Sequence, residues 1–278
     1  MTDILILGGT GKVGRRLSSA LTQAGQQPRP ASRHAAVRFD WRDPSTWPAA
    51  LDGTSGLFVV GPGSASDWSP DLSRLLGAAE AAGVRRAVLL SARGVEFLPG
   101  GAVDRAEQAL RAGPLPWTIL RPAHFDQNFT EAMFVPRGGL ITAPVGTRRE
   151  PFVDVADVAD VAAAVLAGGG FDGATLDLSG PEAISFAEAA AVLAAASGAP
   201  VRFADEPDAE HVAGLRAAGT PDGYIEWRMA MLGGIRRGAD AYLSDGVQQV
   251  LGRPPASFAG WARREVPSAS CAPTTTSS

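Results

Sequence analysis

Short, nearly continuous apolar runs recur along the chain, and each leads into a stretch with apolar residues at helical spacing. The first run is Ile4-Leu5-Ile6-Leu7, followed by Leu17, Ala20, Leu21 and Ala24 on one helix face. A continuous apolar run suits a parallel strand covered on both sides, and the three-to-four spacing suits an amphipathic helix. The same reading predicts further strands over 26–32, 37–40, 56–60, 84–91 and 117–120. Between them it predicts helices opening at Asp43-Pro44 and covering 71–82 and 101–112, with Asp43 as cap and Pro44 at the first helical position. Pro28 and Pro30 weaken the second strand, because proline removes ladder donors and belongs at edges or bulges. This alternation predicts an α/β fold, a Rossmann-type doubly wound parallel sheet.

The second half is less regular. Strands are expected over 139–143, 174–178 and 201–204, helices over 153–166, 208–218 and 221–237, and the segments 248–251 and 258–265 finish the fold. Ser185 and Glu188 form a capping-box pattern opening a helix to Ala196. Residues 1–266 read as one unit: 1–135 mostly sheet core, and 136–266 mostly a smaller C-terminal α/β portion. The Pro, Ser, Ala and Thr of 267–278 predict a disordered tail.

Composition narrows the function classes. At 278 residues with 45% hydrophobic and 19% charged residues, the chain reads as an ordinary globular protein. A net charge of −4 offers no nucleic-acid surface. No run reaches the roughly 20 apolar residues of a membrane span. The chain opens on a strand pattern without a signal peptide, so a cytoplasmic location is expected. Cys271 is the single cysteine, which excludes internal disulfides and cysteine metal sites, and no metal is expected. The expected partner is a small-molecule substrate, and the pattern leaves the oligomeric state open.

The candidate chemistry begins at Gly8-Gly9-Thr10-Gly11-Lys12-Val13-Gly14, between the first strand and the first helix. Glycine allows a sharp turn and a close approach of phosphate to backbone N–H groups, with the positive helix end behind it. The spacing is G-x-x-G-x-x-G rather than the G-x-G-x-x-G of common dehydrogenases. Ser32-Arg33 ends the second strand, where an acidic residue suits NAD and a basic one the 2′-phosphate of NADP. Arg33 therefore argues for NADP(H) over NAD(H), against the alternative of a solvated loop arginine. Asp40, Val60, Ser91 and Pro122 stand at or just beyond other strand ends, where open α/β sheets bind ligands.

Taken together, the motifs resemble the NmrA-like branch of the atypical short-chain dehydrogenase/reductases, over roughly residues 3–265. The carriers are GGTGKVG, Arg33, Ser91, WTILRPAHFDQNF at 117–129, PFVDVADVADV at 151–161, LSGPEAISFAEAA at 178–190 and LGRPPASFAGW at 251–261. The resemblance implies a dinucleotide on the glycine turn and a substrate-binding C-terminal portion. Its members include NADPH-dependent quinone and azo reductases, biosynthetic reductases, and regulators that bind the dinucleotide without turning it over. Aligned by WTILRP, the Tyr-x-x-x-Lys pair of standard short-chain dehydrogenases falls near Val103 and Glu107. Lys12 is the only lysine, so no such pair exists anywhere in the chain.

The proton is then expected from His124 or from water. His124 follows Arg121-Pro122 where the resemblance places substrate and nicotinamide, and imidazole titrates near neutrality. His124 is the expected catalytic residue, with packing in a helix turn as the alternative. Arg93 is expected to orient an acidic or phenolic substrate or else to form a surface salt bridge. Phe125, Asn128 and Phe152 are expected in an apolar substrate pocket, closed by Tyr224 and Trp227 on one helix face. The expected function is NADPH-dependent reduction of a small conjugated or quinone-like molecule, possible in secondary metabolism. A dinucleotide-sensing regulator and a non-redox isomerase are the alternatives.

Overall fold

The computed structural model describes residues 3–267. Its first half alternates β1 (Asp3–Leu7), α1 (Lys12–Gln23), β2 (Gln27–Ser32), β3 (Val37–Arg38), α2 (Trp47–Leu51) and β4 (Gly56–Val59). It continues with α3 (Ser69–Ala81), β5 (Ala87–Leu90), α4 (Ala102–Arg111), β6 (Trp117–Pro122) and α5 (Asn128–Glu131). The second half holds β7 (Leu140–Ala143), β8 (Arg149–Glu150), α6 (Val155–Gly168), β9 (Ala174–Leu178), β10 (Ile184–Ser185) and α7 (Phe186–Ser197). It closes with β11 (Arg202–Asp205), α8 (Asp208–Ala217), α9 (Asp222–Arg237), α10 (Gly246–Leu251) and α11 (Phe258–Glu265).

Seven strands make one all-parallel sheet in the order β3-β2-β1-β4-β5-β6-β9. Period-two alternation divides the buried residues between its faces. Ile4 and Ile6 of β1 join Val13, Leu17 and Leu21 of α1 and the valines of α6. Leu5 and Leu7 face the opposite way, with Leu72 and Leu75 of α3 and Leu110 of α4. This is the doubly wound sheet the pattern predicts.

The prolines of β2 are tolerated for a geometric reason. The Ala31 carbonyl accepts from Gly9 N–H on the β1 side, and the Ser32 carbonyl from Phe39 N–H on the β3 side. Backbone groups alternate sides, so Pro28 and Pro30 face the β3 side, as Ser32 does. β3 pairs only with Ala31 and Ser32, so no ladder donor is missed at either proline.

The C-terminal portion has its own core of Phe129, Phe134, Phe152, Phe186, Phe258 and Trp261. β11 pairs parallel with β7, and the two-residue strands β8 and β10 pair antiparallel. These two-residue strands carry no sequence period and were absent from the predicted elements. The helix expected from Val153 begins at Val155, because the Asp154 side chain caps it by accepting from Ala156 N–H. Among the described residues no helix is long and apolar enough to cross a membrane. Apart from Pro267, the expected tail, with Cys271, lies outside the described residues.

Candidate functional site

The glycine turn is shaped by close contacts. Gly8 has φ +67°, the left-handed region that favours glycine. A Cβ on Gly14 would stand 2.5 Å from the Gly8 carbonyl oxygen, so its absence lets the first turn of α1 press against the loop. Gly11 caps α1 without any side-chain hydrogen bond, leaving the first N–H groups open to a ligand. Thr10 and Gly11 are exposed, while Val13 is buried beneath them. These residues fit a pyrophosphate: a turn without side chains, a helix N-terminus, and a lysine on its first residue. Ser32, Arg33 and Asp40 lie at or beyond the carboxyl ends of β2 and β3, on the same sheet edge. The Arg33 side chain is exposed there. Asp40 also closes a local turn, its carboxylate accepting from Arg42 N–H at 2.9 Å.

From this edge a cavity of about 320 Å³ runs over the ends of β4, β5 and β6. Val60, Ser91 and Pro122 border it from the sheet, and Lys12, Phe125 and Asn128 from the glycine-turn side. Tyr224 and Trp227 border it from α9, their rings 5.7 Å apart, as the i,i+3 spacing predicts. Trp68, Met133 and Met231 add apolar wall that no sequence motif announced.

Two expected substrate contacts need correction. Phe152 is not in the cavity wall: it is 2% exposed and packs 5.1 Å from Phe129 and 5.2 Å from Phe186. The aromatic core of the C-terminal portion claims it. Arg93 borders the cavity, yet its charge is spent internally and not on the surface. It is 3% exposed, its Nε lies 2.7 Å from Asp240 Oδ1, and it donates to the Tyr242 carbonyl under the Tyr242 ring.

Val103 lines the cavity where the standard tyrosine would stand, and Glu107 is buried one turn on. Glu107 accepts from Arg121 Nε at 2.8 Å and Nη2 at 2.6 Å, from Arg111 at 2.8 Å, and from the Ser91 hydroxyl. Burial pushes its carboxyl up, but hydrogen bonds from Arg121 and Ser91 and the charges of Arg121 and Arg111 hold it below the usual range. Ser91 thus has its proton committed to Glu107 and faces the cavity as an acceptor, suited to a ribose hydroxyl rather than a carbonyl.

Lys12 Nζ donates to the Asn128 side-chain oxygen at 2.9 Å and stands 5.9 Å above the Phe125 ring. Burial lowers its pKa, which a bound phosphate would offset. His124 also borders the cavity. Its Nδ1 lies 3.0 Å from Glu150 Oε1, which also accepts from the His124 backbone N–H at 3.2 Å. Glu150 and Asp240 were missed from sequence; they reach His124 from β8 and from the loop after α9. The other histidines stand elsewhere: His34 exposed after β2, and His211 between Glu206 and Arg228.

Comparison with known proteins agrees with this geometry. A family model described as NAD(P)H-binding matches residues 8–168. A (4-alkanoyl-5-oxo-2,5-dihydrofuran-3-yl)methyl phosphate reductase of Streptomyces griseus is 33% identical, over 93% of this chain and 96% of its own. The NADPH complex of an Escherichia coli quinone oxidoreductase shares the fold, with TM-score 0.79 and 24% identity over 94% and 99% of the two chains. NmrA, a negative transcriptional regulator solved with NAD, does so with TM-score 0.74 and 17% identity over 95% of each chain. The glycine turn, the cavity beside it and these likenesses lead to one conclusion: the chain belongs to the NAD(P)H-binding family and is an NAD(P)H-dependent oxidoreductase.

Proposed function

We propose that the chain reduces a small conjugated or quinone-like acceptor with NADPH in preference to NADH. The observation that carries this reading is the composition of the cavity wall. Trp68, Phe125, Met133, Trp227 and Met231 make an apolar slot, and Val103 replaces the phenol of the standard mechanism. An apolar slot suits a flat unsaturated ligand. An acceptor that delocalises its developing charge needs less from a positioned acid than an isolated carbonyl does. The Streptomyces griseus relative is named for an alkanoyl-substituted oxo-dihydrofuran, which belongs to this chemical class.

Bound NADPH supplies the hydride. Lys12 and the open N–H groups of α1 would hold its phosphates, Arg33 its 2′-phosphate, and Ser91 would accept from a ribose hydroxyl. Tyr224 and Trp227 press the acceptor against the sheet edge and keep water out. His124 gives a proton to the reduced oxygen.

The test is oxidation of NADPH by the purified protein against a panel of quinones and enones, followed at 340 nm. Turnover on members of the panel supports the reading. Tight NADPH binding without turnover would replace it with a sensor, and acceptor isomerisation without NADPH oxidation with an isomerase.

A further inference from the structure

Two buried carboxylates stand behind His124, and the proton donation proposed above does not account for both. Glu150 is fully buried, one oxygen engaged by His124 and the other, Oε2, without a hydrogen-bond partner. Asp240 is 3% exposed and paired with Arg93. One ligand atom each of His124, Glu150 and Asp240 lies within 4.8 Å of the others. Two carboxylates so close in a dry site, facing one guanidinium, leave one negative charge uncompensated. One proton restores neutrality.

We propose that Glu150 and Asp240 hold that proton between them and pass it to His124, making them the proton store of the reductase. This deepens the reading of His124 as donor and rests on it. Hydride transfer leaves a negative charge on the acceptor oxygen. His124, neutral and protonated at Nε2, breaks that N–H bond to form the O–H bond. As that bond breaks, Asp240 gives up its carboxylic proton, the Glu150 carboxylate relaying it to the unprotonated Nδ1, and remains as an anion paired with Arg93. Solvent restores the missing proton after product leaves, so each cycle consumes one NADPH and one proton. Every group facing the pair bears on this balance. Burial and Glu150 push Asp240 up to about 7, Arg93 and His124 pull it down, and Glu96 pushes it further up. Tyr242 covers Arg93 and is itself hydrogen-bonded to Asp177. Glu150 and Asp240 are positioning residues, since the acceptor meets only His124.

The test reads the proton directly in the full-length protein. Infrared difference spectra between pH 5.5 and 9 should show a carboxylic-acid band that disappears near neutrality in the native protein, is missing in Asp240→Asn and is kept in Asp126→Asn, which removes the other buried acid. In ¹⁵N spectra, with only three histidines to assign, Glu150→Gln should move the His124 Nδ1 resonance while those of His34 and His211 stay in place. In turnover, Asp240→Asn should lower kcat about tenfold or more and remove a basic limb near pH 7. The KM for the acceptor and the Kd for NADPH should not change. His124→Phe should lose the same limb.

A native spectrum without the acid band, an Asp240→Asn variant with the native band, or stoichiometric zinc in the purified protein would each overturn the store. If no panel acceptor is reduced, the reading of the substrate class fails, and the infrared and ¹⁵N arms still decide the proton pair.

Discussion

Lys12 and Asn128 meet across 116 residues of sequence, the ammonium donating to the amide oxygen at 2.9 Å. The contact ties the first residue of α1 to the first residue of α5, and with it the glycine turn to the cavity wall. It also holds the only lysine of the chain half-buried at the end of the helix where an anion would sit. Lys12→Gln should keep the bond to Asn128 but remove the charge. The expected loss in NADPH affinity is about 1.5–3 kcal/mol, roughly ten- to hundredfold. Calorimetry checks it, with Asn128→Ala expected to weaken binding less.

On the proposed reading, Arg33 carries the cofactor preference. Its side chain is exposed at the end of β2 and free to reach a 2′-phosphate. Arg33→Ala should cost NADPH about 1.5–3 kcal/mol and leave NADH nearly unchanged. Equal native affinity for the two cofactors, measured by calorimetry, would remove the assignment.

Glu107 is a matter of stability. Glu107→Gln leaves the two arginines without their anion. Because Arg121 and Arg111 remain partly solvated, the expected cost is about 2–4 kcal/mol at neutral pH, toward the lower side of a fully buried pair. Its carboxyl is held below the ordinary value in the folded state, so its contribution is present above the usual carboxylate range. It is lost as pH falls through the depressed value. Urea denaturation at pH 7 and pH 4 should show the gap between native and variant narrowing at the lower pH.

Asp126 has the opposite sign. Both its oxygens are buried without partners, and burial, with Asp154 and Asp157 beside it, raises its pKa well above the ordinary value. A raised acid contributes stability below its unfolded pKa and loses it as pH climbs toward the folded one. Asp126→Asn should remove this dependence. The variant gains on the native protein by up to about 1.4 kcal/mol per pH unit within that window. Tm measured at pH 5 and pH 8 checks it.

The glycine turn and the strand–helix alternation of the first half were legible because their signals are local: a strand, a turn and a helix within one short stretch. Tyr224 and Trp227 were legible for the same reason, since helical spacing alone puts them on one face. Phe152 misled because a phenylalanine reads alike in a pocket or a core, and the aromatic cluster that claims it is assembled from α5, α7 and α11. Glu150 and Asp240 were invisible. Nothing in their own neighbourhoods announces that a two-residue strand and an inter-helix loop converge on His124. Pro28 and Pro30 counted against β2 in the sequence, because which flank of a strand lacks a partner is decided only once its neighbours are in place.

That flank of β2 has a consequence for how the molecule behaves in a crowded solution. β3 is only two residues long, so among the described residues no strand pairs with the outer side of β2 ahead of Ala31. An open strand normally offers alternating donors and acceptors, a template for any passing strand. Here the donors at positions 28 and 30 do not exist, and a second chain could find only acceptor oxygens there. The residues that count least toward building the strand are the ones that protect it from aggregation.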